Sequence, residues 1–312
     1  MRVLSLFDGI SCGHVALERA GIKVDTYYAS EINKYAIEVS QKNYPDTKRV
    51  GDVNSINFNE FVRNVDLLIG GSPCQGFSMA GKKLNFDDPR SKLFFKFVEA
   101  LNIIKPKYFL LENVQMKKEW IDVINEQLGV EPIFINSQLV SAQQRKRLYW
   151  TNIPNIQQLK DKEIFLEDVV EDDALVDREK SNTIIASIGR TTHREYFRKH
   201  QGQMVFDAIM LSNIYGGFGE RNPRVHIGKS VTIRTASGGG HIPSLIINNV
   251  DKEFTLPELK KFIRKVTPLE CERLQTLPDN YTEGVSNTQR YKCIGNGWTV
   301  DVIAHILKGI NQ

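Results

Sequence analysis

Cys74 stands in the run Gly70-Gly71-Ser72-Pro73-Cys74-Gln75-Gly76-Phe77-Ser78, directly behind the apolar stretch Val65-Asp66-Leu67-Leu68-Ile69. That stretch is too short for a helix and reads as a buried strand, which the glycines and Pro73 stop abruptly. The cysteine is thereby delivered to the C-terminal edge of a sheet, where open α/β folds put their chemistry. A lone cysteine is ordinarily a small buried hydrophobe. A core position, however, needs neither a proline before it nor a polar loop behind it. The chemistry on offer is nucleophilic, because near neutral pH a thiol reaches its anionic form far more readily than a hydroxyl. A second apolar run, Tyr108-Phe109-Leu110-Leu111, ends at Glu112. The two strands are predicted as neighbours, so a nucleophile and a proton-handling acid can face one pocket. Gln143-Gln144-Arg145-Lys146-Arg147 follows, and taken alone it reads as an ordinary basic turn.

Three earlier strand ends spell a different chemistry. Val3-Leu4-Ser5-Leu6-Phe7 is predicted as a first strand, and the turn Asp8-Gly9-Ile10-Ser11-Cys12-Gly13 leads into a helix from His14. Backbone N–H groups at such a turn make an anion site, suited to a pyrophosphate or a carboxylate. The turn is not a GxGxxG, and it is equally a simple tight connection. A second strand, Val24 to Ser30, ends at Glu31, where a carboxylate can accept from ribose hydroxyls. A short third strand near Val50 ends at Asp52, which can accept from an adenine amino group. Each carboxylate singly reads as a surface or capping group. The turn, Glu31 and Asp52 at three successive strand ends together outline an adenosine.

The elements that must hold these residues alternate. Helices are predicted over Asn33 to Lys42, Phe58 to Asn64, Leu93 to Lys105 and Trp120 to Leu128, between the strands named above. Ile133 to Leu139 and Leu148 to Thr151 look like the last strands. Such alternation gives an α/β fold: a doubly wound, mostly parallel sheet with helices on both faces. The pattern breaks after about Pro154, where an acidic stretch from Glu167 to Glu179 gives way to short β-like runs with many glycines. Helix-rich character returns from Val266. The expected organisation is one domain formed by residues 1–175 and 264–312, and a second, smaller, irregular β-rich domain over 176–263.

A chain of 312 residues can bury a core for both. The net charge of +4 is mild, but it is concentrated: between Ser181 and Gly240, eight cations face three anions. That segment is equally a solvated surface or a phosphate-binding face. The four cysteines form no CxxC pair and no metal-ligand spacing, which predicts no metal site and a reducing compartment. No apolar run approaches membrane-spanning length, and the N-terminus enters a strand at once, so neither a membrane span nor a signal peptide is expected.

Pro73-Cys74-Gln75 behind Gly-Gly-Ser, with Glu112-Asn113-Val114 further on, resembles the DNA cytosine-C5 methyltransferases. The resemblance extends to Ser30-Glu31, to Gly51-Asp52-Val53 and to the Gln-x-Arg-x-Arg pattern that ends at Arg147. It includes Arg264 to Gln275, similar to the family's hinge motif, and Tyr291 to Val300, similar to its last motif. It covers most of the chain except about 156–262, where the target-recognition domain is expected. Two positions depart from the usual pattern: Ser11-Cys12 in a turn that is commonly richer in glycine, and Gly297-Trp298. Both are similar to the de novo type of eukaryotic enzyme.

The resemblance implies a Rossmann-like enzyme that moves a methyl group from S-adenosylmethionine to C5 of cytosine in double-stranded DNA. It implies a prokaryotic or phage protein working in the cytoplasm, and leaves room for a cognate restriction endonuclease as partner. Cys74 would add to C6 of the base, Glu112 would act at N3, and Arg145 and Arg147 would orient the acid and hold the target nucleotide. Cofactor contacts would fall on Phe7, Asp8, Gly9, Ile10, Cys12, Gly13, Glu31, Ile32, Asp52, Val53, Pro73, Leu93, Asn296, Gly297 and Trp298. DNA contacts would fall on Gln75, Ser78, Lys82, Lys83 and Arg90 in the loop behind the cysteine. Arg194, Arg234, Thr235, Ser237 and Gly238 would contact DNA from the variable middle. Cytosine in a duplex cannot reach a sheet-edge pocket, so the base must be flipped out. Two relatives compete with this reading. The tRNA cytosine methyltransferase carries a Cys-Phe-Thr signature that is absent here, and an inactive DNA-binding relative would lack the Cys or the Glu.

Overall fold

A computed structural model describes residues 1–72, 91–171, 174, 176–192, 195–196, 202–206, 209–212, 224–225, 244–247, 250–252 and 263–311. The first part alternates strand and helix: β1 (Arg2–Leu6), α1 (Cys12–Arg19), β2 (Thr26–Ser30), α2 (Lys34–Asn43), β3 (Lys48–Gly51) and β4 (Leu67–Gly70). It continues with α3 (Ser91–Ile104), β5 (Tyr108–Val114), α4 (Lys118–Leu128), β6 (Ile133–Asn136) and β7 (Lys146–Thr151). The strands form one seven-stranded sheet in the order β3-β2-β1-β4-β5-β7-β6. Pairings from β3 through β5 are parallel, and β7 runs antiparallel to both β5 and β6. The link from β6 to β7 contains only a 3-10 turn over Ser137–Leu139. A parallel return needs a longer crossover, so this pair closes antiparallel. The segment expected as a short helix from Phe58 is a single 3-10 turn, Phe58–Phe61.

Period-two alternation sorts the strand residues onto two faces. Val3, Leu67, Ile69, Leu110 and Tyr149 join one core cluster, packed with α1 and with the C-terminal α7 (Val300–Leu307). Leu4, Leu68, Phe109, Leu111 and Trp150 join the other, packed with α3 and α4. Both faces are covered by helices, which is why the central strands read as unbroken apolar runs.

The later part holds smaller antiparallel pairings. Strands β9 (Ile209–Ser212), β10 (Arg224–Val225), β11 (Ser244–Ile247) and β12 (Val250–Lys252) form one sheet, and β8 (Met204–Phe206) pairs with β13 (Ile263–Lys265). Then come α5 (Pro268–Leu274), α6 (Asn287–Asn296) and α7. The start of α5 is a capping box: Thr267 accepts from the Glu270 N–H, the Glu270 carboxylate accepts from the Thr267 N–H, and Pro268 opens the helix.

Candidate active site

A cavity of about 580 Å³ opens at the C-terminal ends of β1, β2, β4 and β5. β1 lies between β2 and β4, so the chain's winding reverses there, and α/β sheets bind ligands at such a switch point. On one wall lie Phe7, Gly9, Ile10, Glu31, Ile32, Asp52, Val53 and Leu93. The turn behind β1 carries Phe7, Gly9 and Ser11 with φ of 58°, 60° and 60°. Two of these are not glycine, a strained arrangement that surroundings must hold in place. Asp8 holds it from beneath, accepting from Ser11 Oγ at 2.6 Å and Tyr27 Oη at 2.8 Å. Burial pushes the Asp8 carboxyl above its ordinary range, and the bonds from Ser11 and Tyr27 pull the other way. Tyr281, far along the chain, donates to the Ile10 carbonyl at 2.6 Å.

Glu31 is locked by main-chain donors: Gly9 N–H on Oε2 at 2.9 Å, and Ile32 and Asn33 N–H on Oε1 at 2.8 and 2.7 Å. A carboxylate has about four acceptor positions, so capacity remains for a diol. Asp52 caps a 3-10 turn, with Oδ1 accepting from the Asn54 N–H at 2.9 Å. Ile32 is 73% exposed on this wall, an apolar surface open to a planar ring. The residue types therefore fit the adenosine part of S-adenosylmethionine: Glu31 and Asp52 offer acceptors that would suit ribose hydroxyls and an adenine amino group, and Ile32 and Leu93 offer apolar surface that would suit a ring.

The opposite wall holds Gly71, Ser72, Glu112, Asn113, Arg145 and Arg147. Strand β5 continues past Glu112 to Val114 rather than ending there. Glu112 shares its face of the sheet with Leu110. On β7 it pairs with Tyr149, whose neighbour two residues back, Arg147, lies on the same face. Diagonal neighbours on a sheet reach one another, and Arg147 Nε lies 2.8 Å from Glu112 Oε1. Trp298 sits just before α7, which packs on that face, and its indole Nε1 donates to Glu112 Oε2 at 3.2 Å. Glu112 is 8% exposed, so both oxygens are gripped in a nearly buried position. Asn113 points the other way and donates to Ser72 Oγ at 3.2 Å, tying β5 to the chain leaving β4.

Arg145 does something different from its neighbour. Its guanidinium donates to the carbonyls of Ile184 at 2.9 Å, Gly297 at 2.9 Å and Gly295 at 3.4 Å. Burial pushes its pKa down to about 10, with nearby Arg147 adding to the effect. It is a strut joining three segments, and no bond from it to Glu112 is present. Gln143 works alongside, donating to the Leu274 carbonyl at 2.9 Å and accepting from the Ile184 N–H at 2.7 Å.

Of the expected cofactor residues, Asn296 also lines the cavity. Asp8, Cys12, Gly13, Gly297 and Trp298 do not line it. Cys12 is the first residue of α1 rather than part of the turn. Gly13 is buried against Ile69, with no room for a Cβ. Pro73, Cys74, Gln75, Ser78, Lys82, Lys83, Arg90, Arg194, Arg234, Thr235, Ser237 and Gly238 lie outside the described residues. The other three cysteines are buried, and burial raises each thiol: Cys12 to about 12, Cys293 to about 11, and Cys271 well above its ordinary value. Among the described residues no group of His, Cys, Asp and Glu could hold a metal ion. No helix among them is long and apolar enough to cross a membrane.

Sequence reasoning missed the Trp298–Glu112 contact, the strut role of Arg145, and Asn33, Ala36 and Asn54 on the cavity wall. Asn54 was within reach of a sequence signal, since it stands two residues after Asp52 and donates its N–H to that capping carboxylate.

Residues 1–312 match the family described as C-5 cytosine-specific DNA methylase. The chain belongs to this family. Among its relatives, the orphan methyltransferase M.SPRI of Bacillus phage SPR is 26% identical over 99% of this chain and 97% of its own length. The type II methyltransferase M.HhaI of Haemophilus parahaemolyticus is 27% identical over 100% of this chain and 94% of its own length. The fold is that of the Entamoeba histolytica methyltransferase EhMeth, with a TM-score of 0.69 at 19% identity over 99% of this chain and 97% of that one. The chain is thus a DNA cytosine-5 methyltransferase with S-adenosylmethionine as methyl donor, built on the Rossmann-like methyltransferase sheet.

Proposed function

We propose that this methyltransferase works through a covalent bond between Cys74 and the target base. The supporting observation is the pairing of two walls in one cavity: carboxylates suited to an adenosine on one side, Glu112 held by Arg147 on the other. Cys74 follows Ser72, a cavity residue, by two positions, a span of at most about 7 Å for an extended chain. The three described cysteines are buried thiols raised away from the anionic form at neutral pH, which leaves Cys74 for the task.

Cytosine C5 is a weak nucleophile. Addition of the Cys74 thiolate to C6 breaks the C5–C6 double bond and moves its electron pair to C5. Glu112 stabilises the charge arriving in the ring by sharing a proton at N3. The bound cofactor supplies an electrophilic methyl group. Loss of the C5 proton to a water held near Glu112 and Arg147 restores the double bond and expels the Cys74 thiolate.

In this reading residues 1–175 and 264–312 bind the cofactor and perform the chemistry, and 176–263 read the DNA. Gln75, Ser78, Lys82, Lys83 and Arg90 contact the DNA backbone. Arg194, Arg234, Thr235, Ser237 and Gly238 contact the site, with side chains such as Arg234 and Ser237 able to read base edges. The relatives include a type II enzyme and an orphan enzyme, and a cognate endonuclease belongs to the first arrangement. A cytoplasmic location follows from the DNA substrate and the reduced Cys74 that the chemistry requires.

The test is trapping. DNA carrying 5-fluorocytosine has no C5 proton to lose, so elimination stops and the adduct persists. The expected result is a cofactor-dependent covalent complex whose modified peptide contains Cys74, and none with Cys74→Ser. A complex formed equally by the Cys74→Ser protein would remove Cys74 from this role.

A further inference from the structure

The indole of Trp298 occupies a space that only one sequence feature leaves open. Gly71, the first residue after β4, has no Cβ. One built there would lie 2.8 Å from Trp298 Nε1 and 3.2 Å from Glu112 Oε2. The indole slides into that gap, between the exit of β4 and the carboxylate, and donates to Oε2 at 3.2 Å. Its other attachments are firm. The preceding carbonyl, that of Gly297, accepts from Arg145 at 2.9 Å. The ring also lies against Gly13 at the start of α1. It does not line the cofactor cavity.

We infer that Trp298 is a positioning residue for Glu112: its indole N–H fixes Oε2 while Arg147 fixes Oε1, so the carboxylate meets the base at one set angle. A carboxylate held by a single donor can rotate about its Cγ–Cδ bond. One held on both oxygens by different elements cannot, and proton sharing with a ring nitrogen depends on that angle. Gly71 is the permissive partner, because any side chain there displaces the indole. The inference rests on the proposed role of Glu112 as the acid, and the experiment below separates the two.

Trp298→Phe keeps most of the ring and removes the N–H. Gly71→Ala keeps the indole and pushes it off Glu112. Each should lower kcat by about 10- to 100-fold. For Trp298→Phe the cofactor dissociation constant, KM for DNA and thermal midpoint should change little, because the lost bond acts only on the acid. Glu112→Gln is measured beside them. Turnover by Trp298→Phe within about twofold of the parent, with Glu112→Gln inactive, would overturn the inference while leaving the acid in place. Losses of cofactor affinity and thermal midpoint in proportion to kcat would overturn it in favour of simple packing. Full turnover by Glu112→Gln would instead remove the reading on which the inference stands.

Discussion

Across one cavity, two glutamates are held in opposite ways. Glu31 takes three hydrogen bonds from the main chain of residues 9, 32 and 33. Glu112 takes its bonds from the side chains of Arg147 and Trp298, on different elements, the second 186 positions away. The cofactor wall is therefore a local construction. Once β1 and β2 are paired, the backbone places Glu31 with little help from neighbouring side chains. The Glu112 wall is assembled from distant segments, and it depends on the identity of several side chains at once. Binding should accordingly be robust to single changes, and turnover fragile.

The largest effect sharpens that contrast. Glu112→Gln keeps the shape of the wall but cannot share a proton in the same way, so kcat should fall by about 10²- to 10⁴-fold. Cofactor binding, followed by calorimetry, should stay within about threefold of the parent. Arg145→Met probes the strut. The loss of bonds to three buried carbonyls is offset in part by relief of a buried charge, and a stability loss of about 1–3 kcal/mol is expected in thermal or urea unfolding. The variant's residual folded fraction should still bind cofactor. Asp52→Ala is the mildest. It removes one acceptor from an exposed position, and the cofactor dissociation constant should rise about five- to tenfold with kcat unchanged at saturation. If Asp52→Ala cut kcat as deeply as Glu112→Gln, the division into a binding wall and a chemical wall would fail.

Much of this arrangement is legible in the residues because it is carried by local patterns. The apolar runs at Leu67 and Tyr108, each stopped by a turn or an acid, name the central strands. Glu31 and Asp52 are visible because strand ends deliver them. What was not legible is what depends on pairing direction and distance. Nothing in Lys146 to Thr151 says that β7 inserts antiparallel beside β5, yet that insertion is what sets Arg147 diagonally across from Glu112. Arg145 and Arg147 look alike in sequence. They separate only because β7 begins at Lys146, with Arg145 turned into the carbonyls of the C-terminal segment and Arg147 toward the acid. The tryptophan stood out as a departure from a familiar motif, but its target on Glu112 required the packing of α7 on the sheet.

This chain methylates cytosine in DNA at C5. The most direct measurement is nucleoside mass spectrometry after incubating the protein and S-adenosylmethionine with unmethylated genomic DNA and, separately, with tRNA. The expected result is 5-methylcytosine in the DNA and none in the tRNA. Product in the tRNA alone, or none in DNA drawn from several genomes of differing composition, would contradict it.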